Sequence, residues 1–110
     1  MSTNQALTAL RGNDTTWQLQ AFLNGMPLNL SGYTLKCYVK ASSTATDASG
    51  TTYTAGSGIT VVNSGQGIIN FTVPATALTT PGTQWWHWDI TDGSNNNSTV
   101  MYGPLTILAV

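Results

Sequence analysis

Residues 82–107 read GTQWWHWDITDGSNNNSTVMYGPLTI, and the fold hinges on them. Trp85, Trp86 and Trp88 are three of the chain's four tryptophans, and they are followed by Asp92-Gly93 and a Ser/Asn run unsuited to a helix or a packed strand. The pattern is strand, polar loop, strand: a hairpin. Because side chains alternate across a strand, Trp86, Trp88 and Ile90 share one face, and Trp85, His87, Asp89 and Thr91 share the other. The first set is a core face. A buried indole withdraws roughly 150–250 Å² from water, a gross gain of about 4–6 kcal/mol per ring. Two such rings dominate the energetics of a small domain and leave Trp85 on the polar side without a core to enter.

Working outward, the rest of the chain repeats the same grammar. Short alternating runs are separated by Gly, Asn, Ser or Pro, and nowhere do apolar residues keep helical spacing for more than a turn. Asn4–Leu10 is a first edge strand or an extended arm. Thr16–Leu23 follows, with Trp17, Leu19, Ala21 and Leu23 on one side, and Asn24-Gly25 signals a tight turn. Pro27 and Gly32 bound an irregular crossing in which Leu30 plugs the core edge. Tyr33–Lys40 carries Tyr33, Leu35, Cys37 and Val39 inward and Thr34, Lys36, Tyr38 and Lys40 outward. The stretch 41–58 is soft, with a minor strand near Thr51–Thr54. Ile59–Asn63 and Ile68–Val73 form a hairpin that turns Ile69, Phe71 and Val73 inward, and Ala75–Leu78 makes a helical turn. Thr99–Val110 closes the chain, interrupted at Gly103-Pro104 by a bulge or a switch between sheets. About eight strands of this kind make an all-β antiparallel sandwich or barrel. The expected core is Trp17, Leu19, Leu35, Cys37, Val39, Phe71, Trp86, Trp88 and Ile90.

Composition narrows the function. At 110 residues the chain is long enough for one domain, residues 1–110, and too short for two. Its Lys and Arg total three, so it lacks the surface that neutralises phosphates, and a nucleic-acid role is not expected. No apolar run is long enough for a membrane helix, and the polar start at Met1-Ser2-Thr3-Asn4 does not fit a secretory signal. The opening methionine fits a complete small gene product. A net charge of -1 with 6% charged residues leaves little repulsion between copies and favours association. The one cysteine, Cys37, alternates with Leu35 and Val39 and reads as a buried structural thiol.

The chemistry-bearing residues are few. His87 and Asp89 share a strand face, but the chain has no glutamate, no second histidine and no second cysteine to complete an acid/base pair or a metal shell. Asp92–Asn97 lacks the spacing and the terminal carboxylate of a calcium loop. Neither an enzyme nor a cofactor is expected. Trp85 keeps three readings open: an indole lying flat on an outer sheet face, an interface anchor with Tyr38 and His87 at its rim, or a sugar-stacking platform helped by Asn95–Asn97. The arm Ser2–Leu10, with Leu7 and Leu10, is a second candidate contact through strand addition to a neighbour's sheet.

The order of turns and strand ends supports a more specific reading. Arg11-Gly12, then Asp14-Thr15, is followed by Gly25-x-Pro27, Leu30-Ser31-Gly32, Gly67, a strand ending at Pro74, Leu78, Gly82, Asp89-Ile90 and Gly103-x-Leu105-Thr106-Ile107. Over about residues 8 to 109 this resembles the immunoglobulin-like N-terminal domain of phage baseplate upper proteins and similar domains in tail, fibre and head-surface proteins. The resemblance implies an immunoglobulin-like β-sandwich of about seven to eight strands and a non-enzymatic virion role: docking onto other virion proteins, in several copies or as a homo-oligomer. The Arg-Gly-Asp-Thr turn of that family carries an extra residue here, Asn13, and no fibre region follows Val110. The arrangement therefore fits a capsid decoration or a tail, baseplate or fibre adaptor better than a host-recognition protein. A carbohydrate-binding module that uses the exposed aromatics is the alternative.

Overall fold

The structure, a computed structural model, describes residues 3–23, 25–42, 44–46 and 50–109, with the side chains of Thr3 and Leu23 left aside. Among the described residues eleven strands occur in chain order: β1 (Thr3–Asn4), β2 (Leu7–Leu10), β3 (Thr15–Gln20), β4 (Phe22–Leu23), β5 (Met26–Pro27), β6 (Thr34–Lys40), β7 (Thr51–Ala55), β8 (Gly58–Asn63), β9 (Ile68–Val73), β10 (Gly82–Thr91) and β11 (Asn97–Leu108). The hydrogen-bonded path runs β1-β11-β10-β6-β7-β8-β9-β3, with β2 also on β11, while β4 and β5 pair as a separate ribbon. Only a short parallel pairing, Thr54 with Gly58 and Ala55 with Ile59, joins β7 to β8. At that corner the path folds over, so that β8, β9 and β3 face β11, β10 and β6 across one core.

Phe71 on β9 marks the centre of that core. Its ring lies 6.0 Å from Trp86 on β10 and 5.4 Å from Tyr53 on β7. On its own layer it lies 5.6 Å from Trp17. Leu19, Leu35, Cys37, Val39, Phe71, Trp86, Trp88 and Ile90 are buried, as the alternation predicts. Trp17 is only half-buried: β3 is the last strand of its layer, and beyond it the ring meets the edge of β2, where Nε1 donates to Thr8 O at 3.2 Å. Several core residues escaped the sequence reading, three of them instructive. Tyr53, in the soft stretch, is buried, and Val100 and Met101 both enter the core although they are consecutive.

Consecutive buried residues on a strand require a break in alternation, and that break is a β-bulge. Trp88 pairs with Met101 but Asp89 pairs with Thr99, so Val100 is the extra residue. The irregularity therefore lies at Val100 rather than at Gly103-Pro104, where the ladder runs on with Trp86 opposite Gly103 and Trp85 opposite Pro104. Gly103 serves another purpose. A Cβ there would strike the Gln5 carbonyl, so glycine lets the N-terminal segment lie close against β11. The Gln5 amide donates to Tyr102 O at 2.7 Å, and Trp86 Nε1 donates to Gln5 O at 2.9 Å.

That contact changes the reading of the arm. It is neither one edge strand over Asn4–Leu10 nor a detached arm but two short strands, β1 and β2, both parallel to β11 and separated where Gln5 is pinned. Leu7 and Ala9 are buried in the protein's own core, so Leu7 is withdrawn as an interface residue; Leu10, 44% exposed beside Leu108, stays at the surface. Ser2, the expected start of the contact, lies outside the described residues. Further corrections are local. The strand expected over Thr16–Leu23 breaks at Ala21, whose N–H goes to Gly67 O and whose C=O accepts from Leu28. Tyr33 does not point inward; it precedes β6, in a turn closed by its amide on Leu30 O, and is 36% exposed. Gly25 has φ 79, as the tight turn between β4 and β5 requires, while its neighbour Asn24 lies outside the described residues.

Candidate functional site

The outer face of the β6-β10-β11 ladder is built by register. On β10, His87 stands between Tyr38 of β6 and Tyr102 of β11; Trp85 stands between Lys40 and Pro104; Asp89 stands between Lys36 and Thr99. Side chains directly opposite on one face come within contact range, so the ladder brings three aromatic rings to the same spot. Tyr38 and His87 stack at 4.7 Å between centroids with planes 23° apart. Tyr102 is 38% exposed, and Trp85 is half-buried. Trp85, His87 and Tyr102, with Lys40, Asn97 and Thr99, border a shallow depression of about 480 Å³.

Beneath the rings sits an unusual group for an outer sheet face. Asp89 is 3% exposed, the one buried charged or polar residue among the described residues. A carboxylate removed from water is costly unless hydrogen bonds replace its hydration. Here they do. His87 Nδ1 lies 2.7 Å from Asp89 Oδ1, Thr99 Oγ1 donates to the same oxygen at 2.8 Å, and Asn97 Nδ2 donates to Oδ2 at 2.9 Å. Burial alone would raise the Asp89 pKa. The bonds from His87, Asn97 and Thr99, with the attraction of the His87 charge, outweigh it and hold the carboxyl below its usual range. An ionised carboxylate only accepts, so His87 donates through Nδ1–H. The consequence is a fixed imidazole, presented to Tyr38 in one orientation.

The polar loop is tied to this group. Asp92 Oδ1 accepts from the amides of Ser94 at 2.8 Å and Asn96 at 3.0 Å, and Asp92 Oδ2 accepts from Asn96 Nδ2 at 3.2 Å. Backbone bonds from Asn96 and Ser94 lower the Asp92 pKa. Asn95 takes φ 63, a left-handed turn position that asparagine tolerates. Asn97 uses both ends of its amide, giving to Asp89 and accepting from Thr91 Oγ1 at 3.0 Å. Asn96 and Asn97, read from sequence as groups that could hold sugar hydroxyls, thus close the hairpin instead.

The structure brings Trp85, His87 and Tyr38 together and leaves Leu10 at the far end of β2, beside Leu108. The sequence reading missed Tyr102, Lys40 and Thr99, which join the site only through cross-strand register, and missed that Asp89 is its buried support. The His87-x-Asp89 spacing was the available signal. Cys37 lies on the other side of the sheet, wholly buried, and burial followed by the charge of Asp89 raises its pKa, so it is an inert thiol. Among the described residues no three His, Cys, Asp or Glu side chains group as metal ligands, and no helix is long and apolar enough to cross a membrane.

No protein-family model and no curated protein matches the sequence. Solved structures do resemble the fold. The N-terminal domain of phage TP901-1 ORF48 superposes with a TM-score of 0.66 at 11% identity, over 94% of this chain and 84% of that one. The extracellular portion of mouse CD200RLa superposes with a TM-score of 0.46 at 15% identity, over 97% of this chain and 57% of that one, too loosely to bear on the fold. At 11% identity the first likeness speaks for architecture alone: with the strand path and the two-layer core, the chain is an all-β sandwich compatible with an immunoglobulin-like fold, and the phage domain shares that architecture.

Proposed function

We propose that this protein is a non-enzymatic structural module of a bacteriophage particle, docking onto other virion proteins through the outer face of β10 as a capsid decoration or a tail, baseplate or fibre adaptor. The observation that carries the reading is the aromatic cluster Trp85, Tyr38, His87 and Tyr102, held over a buried, fully hydrogen-bonded Asp89. A carboxylate whose oxygens are occupied from within acts as a brace, and a braced cluster of rings offers a partner large contact area at little loss of side-chain freedom. The fold shared with a phage domain supports the setting. Virion localisation and attachment in several copies belong to the same proposal.

The test is assembly. Trp85→Ala protein should stay folded and fail to incorporate into particles, scored by immunolabelling of purified virions; a variant that decorates particles as well as the parent removes Trp85 from the contact. A carbohydrate-binding module is the alternative, favoured by the indole and Tyr102 at the rim of one depression. Glycan-array binding that Trp85→Ala abolishes would move the assignment there.

A further inference from the structure

β3 ends its layer. Among the described residues its only hydrogen-bonded ladder neighbour is β9, so the other side of its backbone pairs with no strand; β2 lies across a trough from it, tied to β3 by Trp17 Nε1, which donates to Thr8 O at 3.2 Å. Which groups point that way follows from parity. The Ala21 amide donates to Gly67 O, on the β9 side, and backbone groups alternate sides along a strand. Leu19, Trp17 and Thr15 therefore face β9, while the N–H and C=O of Thr16, Gln18 and Gln20 face the open edge. Sheet edges are normally protected by charge, proline, bulges or extreme shortness. β3, with the sequence TTWQLQ, has none of these over six residues. The opposite edge of the path is protected, since it consists of β1 and β2, two and four residues long and interrupted at Gln5-Ala6. An uncharged trough of about 670 Å³ runs along β3, bordered by Thr16, Gln18 and Gln20 on one side and Gln5 to Thr8 on the other.

The strand is also close to a palindrome. About Gln18, the flanking positions are both apolar, Trp17 and Leu19, and the next are both polar and uncharged, Thr16 and Gln20. We propose that the open edge of β3 is a homodimer seam, formed by antiparallel pairing with β3 of a second copy about a two-fold axis through Gln18. In that register Gln18 meets Gln18, Thr16 meets Gln20 and Trp17 meets Leu19, polar on polar and apolar on apolar. All three edge-facing residues then fall in hydrogen-bonded pairs, closing about six ladder bonds. The half-buried Trp17 gains the cover that its own layer lacks. A second copy is the occupant because a two-fold requires a self-complementary surface, which this sequence supplies, and no charge on the edge opposes it. The seam is separate from the outer face of β10 and does not depend on the role proposed for that face.

Sedimentation equilibrium of the full chain, up to roughly millimolar concentration, reads the association. The wild type is expected to dimerise, and Gln18→Lys, which sets two ammonium groups directly opposite, to weaken the dimer at least about fivefold at low salt. Mixing Gln18→Lys with Gln18→Glu should restore association as a heterodimer. Hydrogen exchange on the wild type gives an independent reading: the amides of Thr16, Gln18 and Gln20 should slow as concentration rises, while those of Trp17 and Leu19, already bonded to β9, should not change. A strictly monomeric wild type, a dimer indifferent to Gln18→Lys, or a dimer in which the three edge amides keep exchanging freely would overturn the proposal.

Discussion

The two faces of β10 carry the same residue type to opposite ends. On the inner face Trp86 and Trp88 are fully buried, and Trp86 links β10 and β9 to the N-terminal segment through its ring contact and its bond to Gln5. On the outer face Trp85 is half-buried beside a stacked pair of rings that stands on a buried carboxylate. One strand thus stabilises by removing area from water on one side and by satisfying a charge on the other. The lesson is that an exposed-face position is not always a wet one: Asp89 is as buried as the core because its three donors replace water.

The inner face should give the largest effect. Trp86→Ala removes a buried indole and leaves a cavity, and is expected to cost about 3–5 kcal/mol in urea unfolding. A loss under 1 kcal/mol would mean that the inner face is not the main source of stability. Next comes the brace. Asp89→Asn turns an acceptor toward its donors into a group that is half donor, at roughly 1–3 kcal/mol. It should also change the acid limb. The folded pKa of Asp89 lies below the unfolded value of about 3.9, so its stabilisation is present above that value and is lost as pH falls through the folded pKa. In a pH series below about 4 the parent should lose stability more steeply than Asp89→Asn; parallel curves would sink the linkage.

A finer comparison sits within the inner face. Trp88 Nε1 is buried without a partner, whereas Trp86 Nε1 has Gln5 O. Replacing either ring by phenylalanine removes similar area, but Trp86→Phe strands a carbonyl and Trp88→Phe relieves an orphaned N–H. Trp88→Phe should therefore be the milder by about 1–3 kcal/mol, and the reverse order would count against the Trp86–Gln5 bond. The smallest effect on stability belongs to Trp85→Ala, expected within about 1 kcal/mol of the parent. If it melts the isolated domain instead, the outer indole is structural and the docking face must be sought elsewhere.

Alternation along GTQWWHWDI was enough to sort the three indoles, and the same periodicity placed Leu35, Cys37, Val39 and Phe71 inside, because on a regular strand the face of one residue fixes the face of its neighbours. Where regularity fails, so does inference. Val100 is a bulge whose position depends on the partner strand, Trp17 loses its cover because β3 ends a layer, and Leu7 is buried because Gly103 admits a parallel arm. Half of the outer cluster was legible, as Trp85, Tyr38 and His87. Tyr102, Lys40 and Thr99 were not, since they reach the site through hydrogen-bonded register between distant segments.

By itself, then, the sequence determined that this is a β protein and which face of each regular strand turns inward, both being local consequences of a two-residue period. Tertiary structure alone decided that a carboxylate on an outer face is sealed, that the N-terminal segment belongs to the protein's own sheet, and which strand is left with an open edge. Each of these depends on which segments pair, and pairing is a choice among non-local partners that no local pattern encodes.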